Sequence, residues 1–230
     1  EPSQLIYIVD HQNEYIALGN DIDYGTFKDT RSHIQSRLQR EGLYVSPQRT
    51  ITDEQEPIAS QPMLDFNGTL NGLGHVITNI EMYATGLFPR LGNGTIKNLA
   101  MTNVRLTDYN ACCLAYSVYG KAVVDNVYLE VTSSSTEFQS GMFELIGKTG
   151  KATIKNSIVS LSLSEATKDN ENARKNIGVV TSRHEGAAFI ENSYFFSEYT
   201  QIAGTIVKDQ DNVNCGLLNK LNCLFINNTV

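Results

Sequence analysis

Residues 150–163, GKATIKNSIVSLSL, carry a short pattern that the chain repeats. Related stretches begin at Gly92 (GNGTIKNLAMTNV), at Gly120 (GKAVVDNVYLEV) and at Gly186 (GAAFIENSYFFSE). When one asparagine of each stretch is aligned, a glycine stands six residues before it, a small residue four before it and a branched aliphatic residue two before it. The aligned asparagines are Asn98, Asn126, Asn156 and Asn192. A unit that recurs in this way indicates a repeat architecture.

The composition of these units favours short β-strands over helices. Successive aligned asparagines are 28, 30 and 36 residues apart. The units are rich in Val, Ile, Thr, Tyr and Phe and lack a helical period. A chain that makes several short strands per unit, with corners between them, coils into a single-stranded parallel β-helix whose coils stack at the strand spacing. We therefore expect an all-β solenoid of about five or six coils.

Each repeated residue has a place in such a coil. Glycine permits a corner with positive φ, the aliphatic residue fills the core, and asparagine tolerates the left-handed conformation at the next corner. We expect Ile96, Val124, Ile154 and Ile190 to stack on consecutive coils. Two further asparagines fit the register loosely. The column expected to be buried and joined by amide hydrogen bonds is Asn79, Asn98, Asn126, Asn156, Asn192 and Asn228.

The residues after each asparagine alternate between two faces of a strand. This alternation places Met101, Leu129, Val159 and Phe195 in the interior. Tyr128, Ile158 and Tyr194 fall on the outer face, where Tyr128 and Tyr194 are candidates for binding sugar rings. A stabilising or loop-covered aromatic column is the alternative. Insertions at 132–140, 164–176 and 197–201 are expected as loops.

The first part of the chain differs from the repeats. Residues 1–62 are expected to hold one or two strands, a short helix within TFKDTRSHIQSRLQREG (26–42) and an extended loop from Tyr44 to Pro62. These elements form an insertion or a cap over the first coil, and residues 63–230 form the β-helix.

Composition excludes several classes of partner. The 230 residues carry a net charge of −7 without a Lys/Arg cluster, which argues against nucleic acid. No apolar run is long enough for membrane insertion. Of the four cysteines, Cys112 and Cys113 are expected to be buried small side chains. The sequence leaves open whether Cys215 and Cys223 form a disulfide.

Three stretches carry a resemblance to a known family. YIALGNDIDYG, followed by DFNGTLNGLGHVITNIEM and GLFPRLGNGTIKNLAMTNVRL, resembles β-helical regions with GLUG-type repeats. Such regions occur in secreted and surface proteins of bacteria, including adhesins and the regions before the protease domain of IgA peptidases. The resemblance implies a right-handed β-helix, export to the cell surface or beyond, and membership of a longer polypeptide. Similar openings also begin some polysaccharide-cleaving enzymes.

No sequence motif predicts catalysis. The candidate groups that chemistry would need are Arg183, His184 and Glu185 in SRHEG, and Asp209 and Asp211 in KDQDN. We interpret the first group as a solvated turn. Asp21 and Asp23 are expected to bond a bend, and His75 to shape the fold. We expect no cofactor, although lyases of this fold often use Ca²⁺.

Three functions of different kinds are compatible with this pattern. The first is a non-catalytic surface module for adhesion, for binding a host glycan or protein, or for spacing. The second is a polysaccharide lyase or glycoside hydrolase with a site in an outer groove. The third is a trimeric receptor-binding rod like a phage tail spike. The repeated residues are those that a coil needs to stack, so the first is expected.

Overall fold

The computed structural model describes residues 8, 11–25, 65–82, 86–107, 109–135, 138–170, 177–197 and 223–226. The expected helix within 26–42, the loop from 44 to 62, and Asp209, Asp211, Cys215 and Asn228 lie outside the described residues. Within them, the regular structure is almost entirely β-strand.

The described strands are short, except for two long ones in the middle of the chain. In chain order they are β1 (Tyr15–Ala17), β2 (Ile22–Asp23), β3 (Asp65–Phe66), β4 (Thr69–Asn71), β5 (Val76–Thr78), β6 (Glu81–Met82), β7 (Phe88–Leu91), β8 (Thr95–Leu106), β9 (Ala115–Val118), β10 (Lys121–Ser133), β11 (Gln139–Ser140), β12 (Phe143–Ile146), β13 (Lys151–Lys155), β14 (Ile158–Leu163), β15 (Ile177–Gly178), β16 (Thr181–His184), β17 (Ala187–Glu191), β18 (Tyr194–Ser197) and β19 (Cys223–Ile226).

These strands form three parallel sheets. Among the described residues, the large sheet has 12 strands, with the main path β1-β4-β8-β10-β13-β17-β19. A second sheet of five strands has the order β3-β7-β9-β12-β16, and β11 pairs with β15 in the third. Parallel neighbours need a long connection, and here each pass of the chain along the sheets pairs with the pass before it. The described part of the protein is therefore all-β and built on parallel sheets.

The aliphatic residues of the repeat lie side by side across the large sheet. Leu70 pairs with Ile96, Ile96 with Val124, Val124 with Ile154, and Ile154 with Ile190. All five side chains are fully buried or nearly so. The expected register of these residues is therefore confirmed.

The two faces of the large sheet also follow the expected alternation. Met101, Leu129, Val159 and Phe195 pair across consecutive strands and are buried. Along each strand, the residues that alternate with these buried ones point outward. One irregularity is a β-bulge in β8, where the register with β10 shifts between Leu129 and Val131 because β8 contains one more residue. The additional residue is accommodated next to Asn103, which has a φ of 50°.

Candidate functional site

Asparagines occupy the bends within the large sheet. Asn98, Asn126, Asn156 and Asn192 have φ angles of 51°, 55°, 52° and 45°. This left-handed conformation is costly for most residues but is adopted readily by asparagine. The expected corner position of these asparagines is therefore confirmed.

The hydrogen-bonded ladder of asparagines is shorter and more exposed than expected. Asn126 Nδ2 donates to Asn98 Oδ1 over 2.9 Å, and Asn98 Nδ2 donates to Asn71 Oδ1 over 3.0 Å. The series ends at Asn156, whose Nδ2 donates to Asp125 Oδ1 instead of to Asn126. The expected burial is wrong, because the side chains at 126, 156 and 192 are exposed. A bend on the outside of the sheet leaves one side of each amide in water.

Asn79 belongs to a second ladder. Its Nδ2 donates to Asp23 Oδ1 over 2.7 Å, and Asn103 Nδ2 donates to Asn79 Oδ1 over 2.6 Å. The alignment of Asn79 with Asn98 is wrong, since Thr78 pairs with Thr102 and places Asn79 beside Asn103. Strand β8 thus contains two asparagine bends, at Asn98 and Asn103, whereas β10 contains one, at Asn126.

A strip of exposed apolar side chains runs across the outer face of the large sheet. Tyr128, Ile158 and Tyr194 pair in register on β10, β14 and β18, and their exposed fractions are 40%, 38% and 46%. Phe196 lies two residues beyond Tyr194 and is 55% exposed. The rings of Tyr194 and Phe196 are nearly parallel, at 9°, with centroids 6.5 Å apart. The strip places flat apolar groups in the solvent at the strand spacing.

A second cluster is centred on a buried charge in the five-stranded sheet. Glu144 on β12 is 0% exposed. Its Oε1 accepts a hydrogen bond from Arg183 Nε on β16 over 2.5 Å and from Ser182 Oγ over 3.4 Å. Arg183 also donates from Nη2 to the hydroxyl of Tyr116 over 3.3 Å and lies 5.7 Å from the ring centre of Phe138.

The electrostatics of this cluster follow from its burial. Burial raises the pKa of Glu144, and the charge and hydrogen bond of Arg183 oppose that rise. Burial alone would lower the pKa of Arg183, but the Glu144 carboxylate outweighs it and raises that pKa above its ordinary value. Burial also raises the pKa of Tyr116 to about 12. At neutral pH the Tyr116 phenol therefore stays protonated and Arg183 stays cationic.

This arrangement joins β12 to β16 and is poorly suited to acid–base chemistry on an external ligand. The Glu144 carboxylate has no exposed surface, and its Oε2 has no hydrogen-bond partner among the described residues. Within the ion pair, Arg183 alone reaches the solvent, with 31% of its side chain exposed. A general acid or base must come within hydrogen-bond distance of the reacting group, and Glu144 cannot do so.

Within SRHEG, the structure describes the side chains of Arg183 and Glu185. Arg183 lies in β16, so the interpretation of Arg183 as part of a solvated turn is wrong. His184 ends the same strand, and its side chain is not described. Glu185 is exposed, and its backbone N–H donates to the carbonyl oxygen of Ile146. Among the described side chains, no hydrogen bond or ion pair joins Arg183 to Glu185.

The acidic residues of NDIDYG bond bends, as expected. Asp21 Oδ1 accepts hydrogen bonds from the backbone N–H of Val76 and contacts His75 Nδ1, each at 3.0 Å. These bonds lower the pKa of Asp21. Asp23 Oδ1 accepts from Asn79 Nδ2 and from the backbone N–H of Gly25, which lowers its pKa as well. His75 thus contributes to the fold at a half-buried position.

The remaining candidates for chemistry are inert or absent from the described part of the chain. Cys112 and Cys113 are buried with free thiols, as expected, and burial raises the pKa of both. The described residues contain no group of three or more His, Cys, Asp or Glu side chains able to hold a metal ion. In the same residues, no helix is long and apolar enough to cross a membrane.

Sequence reasoning missed Glu144. The residue stands inside GMFELIG, between apolar neighbours, and the run reads as a buried strand. A single acidic residue in such a run was the available signal. Its partner Arg183 is 39 residues away in the chain, and that pairing depends on how two distant strands align.

Comparisons with known proteins find little. No protein-family model matches the chain, and no solved structure matches it. A segment of the chain is 44% identical over 61 residues to halomucin from Haloquadratum walsbyi (strain DSM 16790 / HBSQ001). The match covers 24% of this chain and 1% of halomucin.

Proposed function

We propose that this chain is a non-catalytic module of an extracellular or cell-surface protein, and that it binds glycans on the outer face of a right-handed, single-stranded parallel β-helix. The passes that pair in register over the large sheet support the solenoid. The resemblance to GLUG-type regions supports its handedness, and the local similarity to a protein named halomucin supports a location outside the cell.

The observation that carries the proposal is the exposed strip of Tyr128, Ile158, Tyr194 and Phe196. At the spacing of neighbouring strands, the three in-register residues span roughly 10 Å. Aromatic side chains with a polar end combine a large apolar surface with a hydrogen-bonding group. Such a strip suits the apolar face and the hydroxyl groups of a sugar. The neighbouring column of Glu130 and Ser160 supplies polar groups beside it.

Binding without turnover agrees with the placement of the ionisable groups. Asp21 and His75 contact each other beside a bend of the chain, and Arg183 is bonded to Glu144. Asp21 directly precedes β2 of the large sheet, whereas Glu144 lies on β12 of the five-stranded sheet.

A glycan array tests the proposal with the wild-type chain and the variant Tyr194→Ala. We expect the variant to lose about tenfold in affinity for the glycan that binds best, which corresponds to 1.4 kcal/mol. The folding stability should change by less than about 0.5 kcal/mol, because Tyr194 is exposed.

The matched control is Phe189→Ala. Phe189 is 41% exposed on the same sheet, but it precedes the Asn192 bend and pairs with Thr153 instead of joining the strip. This variant should bind as the wild type does. Equal losses in both variants would contradict the proposed surface. Release of reducing ends or unsaturated sugars by the wild-type chain would contradict the absence of catalysis.

A further inference from the structure

Two acceptor patterns for N-glycosylation lie directly above one another in the fold. The sequences are Asn67-Gly68-Thr69 and Asn93-Gly94-Thr95, and each matches Asn-x-Ser/Thr. Thr69 opens β4, Thr95 opens β8, and the two threonines pair in register. A third match, at residues 227–229, lies outside the described residues.

The side-chain oxygens of Asn67 and Asn93 accept hydrogen bonds from the next pass of the chain. The backbone N–H of Asn93 donates to Asn67 Oδ1 over 2.9 Å, and the backbone N–H of Lys121 donates to Asn93 Oδ1 over 3.0 Å. Because an N–H must meet an acceptor, oxygen and nitrogen are assigned without ambiguity. Both asparagines are exposed. Asn67 Nδ2 bonds only within its own pass, to the carbonyl oxygen of Asp65.

The asparagines of the ladder are oriented the other way. Asn98 and Asn126 donate from Nδ2 to the preceding pass. Neither is followed at the second position by serine or threonine, since Ala100 and Tyr128 stand there. The acceptor asparagine Asn67 therefore differs from Asn98 and Asn126, whose amide nitrogens bond to a neighbouring pass.

Packing accounts for two of the three residues of each pattern. A methyl group at Gly94 would lie 2.6 Å from the carbonyl oxygen of Phe66, so a glycine is required there. The asparagine supplies the acceptor for the next pass. The fold does not restrict the third position to threonine, because a valine stands at the equivalent position of the next pass. Thr95 pairs with Val123, and Val123 pairs with Thr153. Folding alone does not call for a threonine in both patterns.

We infer that Asn67 and Asn93 are acceptors for N-linked glycans, an inference that rests on the proposed extracellular location. An oligosaccharyltransferase transfers a glycan from a lipid-linked phosphate donor. A bond forms between the sugar C1 and Nδ2, the bond between C1 and the phosphate oxygen breaks, Nδ2 loses one proton, and the lipid phosphate leaves. Oδ1 and one N–H remain on the side chain, so both corner hydrogen bonds persist.

The test uses the full chain secreted from a host that contains an oligosaccharyltransferase, fused to a reporter with an established acceptor site. Peptide mapping by mass spectrometry, before and after enzymatic removal of N-linked glycans, should find glycan on Asn67 and Asn93. Thr69→Ala should abolish modification of Asn67 alone, and Thr95→Ala that of Asn93 alone. The matched variants Thr69→Ser and Thr95→Ser keep the pattern and should stay modified.

Unmodified Asn67 and Asn93 beside an occupied reporter site would overturn the inference, as would modification that survives both alanine variants. The glycosylated and unglycosylated chains should unfold at the same denaturant concentration, because no corner bond is lost. Glycan binding by the strip is measured on unglycosylated protein made in a bacterial cytoplasm. The two proposals therefore fail independently.

Discussion

At the scale of single residues, breaking the ion pair of Glu144 and Arg183 should lower stability strongly. Replacing Arg183 with methionine leaves a fully buried carboxylate without its counter-charge. Breaking a buried pair in this way costs several kcal/mol, and we expect about 3 kcal/mol, because Arg183 is partly exposed. Chemical denaturation of the Arg183→Met variant measures this loss in the free energy of unfolding. The double variant Glu144→Gln/Arg183→Met should recover part of the loss, and an additive double variant would show that the two residues are not coupled.

The buried carboxyl of Glu144 should also give the protein a pH dependence. Its pKa in the folded state is raised above the ordinary value of 4.5, mainly by burial. The folded state therefore binds this proton more tightly, so the contribution of Glu144 to stability is present below pH 4.5 and is lost as pH rises through the raised pKa. The free energy of unfolding of the wild type, relative to Glu144→Gln, should fall over that interval. A constant difference would show that Glu144 titrates normally.

Substitutions at the Asn126 bend can separate the contribution of backbone conformation to stability from that of hydrogen bonding. With a φ of 55°, this position favours asparagine or glycine. Asn126→Gly loses the bond to Asn98 but keeps the conformation, and because the amide is exposed we expect a cost of only about 0.5 kcal/mol. Asn126→Ala loses both and should cost about 1–2 kcal/mol more. Denaturation of the two variants measures the difference, and equal costs would show that the bend is not strained.

These residues also show what a sequence can predict at this scale. The left-handed bends at Asn98 and Asn126 were predictable, because few residues adopt that conformation and the spacing repeats. The exposure of their amides was not, since it depends on which side of the sheet the bend faces. The pairing of Glu144 with Arg183 depends on the alignment of two strands with no common motif, and no local pattern carries that information.

At the scale of strands and corners, the glycines before each repeat allow neighbouring passes to approach closely. A methyl group at Gly120, in the corner between β9 and β10, would clash with the carbonyl oxygen of Gly92. Gly120→Ala should therefore cost about 1–3 kcal/mol through backbone displacement. Gly19→Ala is the matched control, since nothing lies within 4 Å of the added atom. It should be neutral or slightly stabilising in thermal denaturation, and a neutral Gly120→Ala would contradict the close approach.

The register of the strands was predictable where the repeat is regular and not where it is interrupted. Ile96 and Val124 align because the same residues recur on both sides of a bend, and a one-residue slip would move every buried side chain to the solvent. The β-bulge of β8 beside Asn103 breaks that regularity. The alignment of Asn79 failed for a different reason: the strands before β8 share its second bend, because Thr78 pairs with Thr102 and Glu81 with Arg105, which places Asn79 opposite Asn103.

At the scale of the whole molecule, each pass of the chain contacts mainly the passes on either side of it. In the large sheet, β17 pairs with β13 and β19, whereas β4 pairs with β1 and β8. Stability in such an array is close to a sum of local terms and nearest-neighbour terms. A loss at one end should therefore reach the other end weakly, in contrast to a globular domain that unfolds as one unit.

Native-state hydrogen exchange on Ile190→Ala tests this behaviour. Ile190 is buried on β17 and pairs with Ile154, so its truncation should destabilise that end by about 3 kcal/mol. Amide protection should fall in β13, β14, β17 and β18 and stay close to the wild-type level in β4 and β5. Leu70→Ala on β4 is the reciprocal variant and should give the opposite pattern. A uniform loss of protection in both variants would mean that the sheets unfold together, and the stacked-coil architecture proposed for this chain would then lack its expected energetic signature.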